Sequence, residues 1–152
     1  MRRGCLLLLL ACLPLSCKPV PEPAAVPGPL NGRQLYMARC TACHQADGSG
    51  LPAICPPLSG SPRLAGPPED LVRILLLGMK GRIARNGETF NGIMPSWRFD
   101  LTDAQIADLT NDLRLRWNPA APEVSEETVR RIREETATHK LFPTTGELGL
   151  PE

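Results

Sequence analysis

Cys40-Thr41-Ala42-Cys43-His44 decides how the rest of the chain is read. Two thiols three positions apart, followed at once by a histidine, form the attachment signature of a c-type haem. On one helical turn, Cys40 and Cys43 can each form a thioether to one of the two vinyl groups. His44 is then held beneath the iron as the proximal ligand. Competing readings explain less. A zinc site needs two further ligands, and only Cys55 and His139 remain in the folded part, neither in a second paired motif. A thioredoxin-like dithiol needs a βαβ pattern, and no strand is expected anywhere. A Cys40–Cys43 disulfide leaves His44 unexplained.

Working towards the N-terminus, Met1-Arg2-Arg3 and the apolar run Cys5–Leu15 form a secretory leader over residues 1–16, too short to cross a membrane. Leu13-Pro14-Leu15-Ser16-Cys17 resembles a bacterial lipobox, with Pro14 where an aliphatic residue is usual. Leu9-Leu10-Ala11-Cys12 matches better but leaves a very short leader, so Cys17 is the expected lipidated N-terminus; the alternative is simple secretion. Residues 17–30 carry Pro19, Pro21, Pro23, Pro27 and Pro29 and are expected to be an extended tether. At about 3.1 Å per residue it would reach roughly 40 Å.

Between the motif and the C-terminus the pattern is helical. Asn31 is placed to cap the helix that leads into the motif, with Leu35 and Tyr36 facing a later helix. Residues 45–61 are rich in Gly and Pro and read as loop. Pro67 and Pro68 precede a helix over Glu69–Leu77, with Gly78 as its left-handed terminator. Residues 79–97 read as loop again. Thr102 and Gln105 form a capping box for a helix to about Arg116, with a buried stripe at Ile106, Leu109, Leu113 and Trp117. Ser125 caps a last helix to about Thr138. Its apolar face is only Val129 and Ile132, which places it on the domain surface, and residues 138–152 are expected to be mobile. The expected class is therefore all-α: about three core helices around a covalent haem in residues 31–117, then an extension over 118–152 with one extra helix.

The composition agrees. Aromatics are 4% of the 152 residues, and Pro and Gly together number 30. A protein-only core would be thin, and a buried haem supplies the missing apolar bulk. Net charge is +1; without Arg2 and Arg3 there are 15 basic against 16 acidic residues. Nucleic acid is not an expected partner.

A haem iron with one histidine needs a sixth ligand, water or an open site. Met94, in Asn91-Gly92-Ile93-Met94-Pro95-Ser96-Trp97, is the candidate, its approach stiffened by Pro95. A thioether is a soft ligand that favours ferrous iron. Met37 lies on the helix that carries the thiols, on the wrong side of the ring. Met79 could reach, and His139 sits in a polar tail.

With these residues in place the chain resembles class I cytochrome c, the small mono-haem electron carriers, over residues 31–117. Cys40, Cys43 and His44 match the attachment motif and Met94 the distal methionine. Pro56, Leu58 and Gly60 match a Pro-x-Leu-x-Gly segment. The resemblance implies that the Pro56 carbonyl accepts the second ring proton of His44, and that Leu58 packs on the haem face. It implies haem c held through Cys40 and Cys43, ligated by His44 and Met94. The implied function is single-electron transfer on the periplasmic side of a bacterial envelope, between respiratory or dehydrogenase partners. No separate catalytic residues are expected. The alternatives are a haem subunit fixed in an oxidase or dehydrogenase complex, and an open-site gas sensor or peroxidase-like enzyme. Residues 62–99 carry six basic against three acidic side chains, which suits an acidic partner surface. Cys55 departs from the pattern and reads as a small buried hydrophobe, with an intermolecular disulfide as the sharper alternative.

Overall fold

A computed structural model describes residues 30–120 and 122–149; the leader, Cys17 and the prolines of the tether lie outside them. Six helices dominate, in keeping with the expected class. They are α1 (Gly32–Arg39), α2 (Thr41–His44), α3 (Pro62–Ala65), α4 (Pro68–Leu77), α5 (Asp103–Trp117) and α6 (Glu126–Glu135).

Local chemistry accounts for the helix ends. Asn31 Oδ1 accepts the Gln34 N–H at 3.0 Å, and Gln34 Oε1 accepts the Asn31 N–H at 3.1 Å. This is a full capping box rather than the simple N-cap expected. Thr102 and Gln105 make the same reciprocal pair at the start of α5. Helix α1 packs on α5, and Gly32 makes this possible: a Cβ there would strike the Asp108 carbonyl oxygen and Asp112 Cβ.

Residues 79–97 are not a plain loop. Strands β1 (Met79–Lys80) and β4 (Ile93–Met94) pair antiparallel, as do β2 (Ile83–Arg85) and β3 (Glu88–Phe90), so one hairpin sits inside another. Asn86-Gly87, with φ of 53° and 81°, forms the inner two-residue turn. Positive φ at both positions is what such a turn requires, and Asn-Gly is its usual sequence. Strands of two or three residues carry too little alternation to be seen by periodicity.

Gly78 does not terminate α4 in the left-handed helical region. Its φ of 68° and ψ of −174° lie in a region essentially confined to glycine. A Cβ would also lie 2.6 Å from the Met94 carbonyl oxygen. The last carbonyls of α4 are taken up by distant segments. Leu75 accepts the Trp97 N–H at 2.9 Å, Leu76 the Ser96 hydroxyl at 2.6 Å, and Leu77 the Phe142 N–H at 2.9 Å. The chain just after Met94 is thereby pinned to α4.

Helix α6 belongs to the core. Val129 and Ile132 are fully buried against the same cluster as Leu71, Val72 and Leu109, each worth about 1.5–3 kcal/mol of transfer free energy. Two arginines lock it down. Arg133 donates to Asp103 Oδ1 at 2.6 Å and to the Leu101 and Arg98 carbonyls, while Arg98 donates to the Thr136 carbonyl at 2.9 Å. In place of the mobile tail expected from residue 138, residues up to 149 fold back. The Lys80 N–H donates to the Pro143 carbonyl at 3.1 Å, and Leu148 packs against Ile74 and Met79. The polar composition hid these contacts because backbone groups and one leucine make them.

Candidate functional site

Cys40 ends α1 and begins α2, so the two thiols and the imidazole sit on one turn. His44 N–H donates to the Cys40 carbonyl at 2.9 Å. Gln45, at φ 60°, then turns the chain away. Its carbonyl accepts the Tyr36 hydroxyl at 2.5 Å, tying α2 back to α1. Tyr36 is fully buried, 5.7 Å from the Trp117 ring, with the Arg116 guanidinium 4.0 Å from its centroid. All three thiols in the described residues are free: Cys40 half-buried, Cys43 exposed, Cys55 buried.

One cavity gathers the residues singled out in the sequence. Cys40, Cys43, His44, Pro56, Leu58 and Met94 all line it. Leu64, Leu71, Leu75 and Trp97 add apolar wall, and Ile54 and Ile93, 52% and 69% exposed, stand at its open side. Met79 lines it as well. Met37 does not; it is 44% exposed on α1. His139 is exposed in the C-terminal segment. Among the described residues no group of three or more His, Cys, Asp or Glu side chains is arranged to hold a metal ion.

His44 departs from the expected pairing. Its Nδ1 lies 3.2 Å from Cys55 Sγ, and the Cys55 thiol donates to the Pro56 carbonyl at 3.7 Å. The thiol therefore stands between the two groups that the family resemblance pairs directly. No direct His44–Pro56 hydrogen bond occurs among the described residues. Burial holds the His44 imidazole below its usual pKa, favouring the neutral form that ligates metals. Burial also pushes the Cys55 and Cys40 thiols up to about 11.

These residues fit a haem. The wall is apolar apart from a few groups, and the thiols and imidazole open onto it. One arginine supports the fit independently. Arg63 lines the cavity, and its buried Nη1 has no hydrogen-bond partner among the described residues. A buried unpaired guanidinium nitrogen is costly, and a carboxylate of the bound group would satisfy it. Sequence reading counted Arg63 only as surface charge; nothing local marks it. Met79 had a weak signal, a methionine just after a helix terminator, but its pairing with Met94 had none.

The comparisons agree with this geometry. The family model described as "Cytochrome c" matches residues 30–114. Cytochrome c-552 of Thermus thermophilus is 36% identical over 131 residues, which cover 79% of this chain and 98% of that protein. The cytochrome c subunit of the quinone alcohol dehydrogenase of Gluconobacter oxydans (strain 621H) is 30% identical over 105 residues, covering 67% of this chain and 22% of that subunit. The gluconate 2-dehydrogenase cytochrome c subunit of Pantoea cypripedii is 34% identical over 109 residues, covering 69% of this chain and 24% of that subunit. The chain thus spans about a quarter of each dehydrogenase subunit and nearly all of the Thermus protein.

Proposed function

Because this chain belongs to the cytochrome c family, with haem c as its cofactor and electron transfer as its activity, we propose that it is a single-electron carrier with a closed, six-coordinate site. The reading assigns Cys40 and Cys43 as thioether donors, His44 as proximal ligand and Met94 as distal ligand. The observation that carries it is the single cavity lined by all four together. Haem c supplies a one-electron ferric–ferrous couple when bound.

The chain's own residues then have defined tasks. The thioethers hold the cofactor while His44, kept neutral by burial, ligates. Pro95 and the Ser96 and Trp97 bonds to α4 hold the backbone that presents Met94. Leu58, Leu64, Leu71 and Leu75 exclude water, which limits rearrangement between the two charge states. Cys55 relays the orientation of His44 to the Pro56 carbonyl. Ile54 and Ile93 border the open side, where an electron leaves towards a partner. The reading gives the site an electron-transfer role and assigns it no separate catalytic residue.

On the same proposal the domain works on the periplasmic side of the envelope and is held there by a lipid on Cys17; the leader pattern over 1–16 and the lipobox-like residues before Cys17 support this reading. Among the described residues no helix is long and apolar enough to cross a membrane. The second reading, a haem subunit fixed in a dehydrogenase or oxidase complex, is favoured by the dehydrogenase subunits among the relatives. Copurification with a larger complex separates it from a diffusing carrier.

The test is spectroscopic. Haem should stay with the polypeptide through acid–acetone extraction, titrate as a one-electron Nernstian couple, and refuse carbon monoxide when reduced. Immediate carbon monoxide binding by the wild type would replace the carrier with the open-site sensor or enzyme.

A further inference from the structure

Met79 and Met94 are direct partners across the β1–β4 pair, with Lys80 opposite Ile93. Residues directly opposed in an antiparallel pair project to the same face, with Cβ atoms about 4.5–5.5 Å apart. Both side chains line the cavity that holds Cys40, Cys43 and His44. Both belong to one apolar cluster with Ile74, Ile83 and Leu148. Met79 is the more enclosed of the two, 8% exposed, while Met94 is half-buried.

The backbones beneath these side chains are held tightly. Gly78 lies against the Met94 carbonyl, the Leu75 and Leu76 carbonyls accept from Trp97 and Ser96, and Lys80 N–H donates to Pro143. The side chains are the adaptable part. Methionine is unbranched, turns about three bonds and carries a polarisable sulfur, so two thioethers anchored this close can sweep overlapping volumes. A β-strand of two residues needs no methionine for its pairing; an aliphatic side chain would fill the same apolar wall.

We propose that Met79 is a reserve distal ligand: a second thioether that takes the sixth position when Met94 withdraws. This rests on the reading of Met94 as the resident ligand. Its consequence is that loss of Met94 from the iron exchanges one thioether for another, so the site keeps its soft donor and stays closed to small ligands. The C-terminal segment takes part, because Leu148 and Pro143 support β1 from outside the cavity.

The experiment compares four holoproteins: wild type, Met79→Leu, Met94→Leu and the double variant. Leucine conserves the side-chain volume, so the apolar cluster stays filled. Two properties are read: the near-infrared sulfur-to-iron charge-transfer band of the oxidised protein, and carbon monoxide binding by the reduced protein. Met79→Leu should match the wild type. Met94→Leu should keep a shifted sulfur band and bind carbon monoxide more slowly than the double variant. The double variant should lose the band and bind at once. If Met94→Leu already lacks the band and binds carbon monoxide as fast as the double variant, there is no reserve ligand, and Met94 stands as resident. If Met79→Leu alone abolishes the band, Met79 is the resident ligand, and both the reserve role and the Met94 assignment fall.

Discussion

Cys55 Sγ lies 3.2 Å from His44 Nδ1, so a third thiol touches His44 from a different segment of the chain. Cys55 is 8% exposed, and burial pushes its thiol up to about 11. It should therefore be inert in the folded protein. Iodoacetamide at mildly alkaline pH should label the Cys55 peptide only after denaturation. Labelling of the folded holoprotein would show the thiol to be accessible, and a dimer that separates on reduction would support the intermolecular disulfide.

Arg63→Gln should weaken the holoprotein without releasing its haem. Arg63 lines the cavity, and its buried Nη1 has no partner among the described residues. A charge-assisted hydrogen bond to a carboxylate of the cofactor is worth about 1.5–3 kcal/mol. Thermal unfolding of the holo variant should show a loss of that size, with a lowered reduction potential because a nearby positive charge is gone. Unchanged stability and potential would place the Arg63 side chain in solvent.

Gly78→Ala should disturb ligation from the backbone side. The position needs φ 68° with ψ −174°, and a Cβ would meet the Met94 carbonyl oxygen and the Ser96 nitrogen. A cost of about 1–3 kcal/mol follows from the conformation alone. Pushing the 94–96 segment off α4 should also raise carbon monoxide binding by the reduced protein. A variant that is destabilised yet still refuses carbon monoxide would mean that the clamp on α4 does not govern Met94.

Tyr36 links stability to alkaline pH. Burial, opposed in part by Arg116, raises its pKa above the ordinary 10.0, and its hydroxyl donates to the Gln45 carbonyl. The unfolded chain releases this proton near its ordinary value while the folded chain keeps it. The contribution is thus complete below about pH 10 and is lost as pH rises towards the folded pKa. Tyr36→Phe should cost about 1 kcal/mol at neutral pH and flatten that alkaline loss. Parallel pH profiles for the two proteins, measured by denaturant unfolding, would rule Tyr36 out as the cause.

Anchoring is tested at the leader. Palmitate labelling should follow Cys17 and vanish in Cys17→Ala, with the variant released from the membrane fraction. A wild-type protein wholly free of label would establish simple secretion.

The sequence by itself determined what rests on near neighbours. Cys40, Cys43 and His44 name the cofactor because their spacing puts them on one turn. The Thr102–Gln105 capping box and the Ile106, Leu109 and Leu113 stripe mark α5 for the same reason: each interaction spans three or four residues. The Asn86-Gly87 turn is equally local, yet residues 79–97 read as loop, because strands this short show no period. Only the tertiary structure decided the rest. It set Met79 beside Met94, 15 positions apart in sequence, and Cys55 against His44, 11 apart. It turned Arg63 into the cavity and buried Val129 and Ile132 under α6. It also brought Phe142 to the open end of α4. These placements satisfy unpaired carbonyls and exposed apolar faces that arise only once the helices have packed. No pattern spanning three or four residues contains both halves of such a contact.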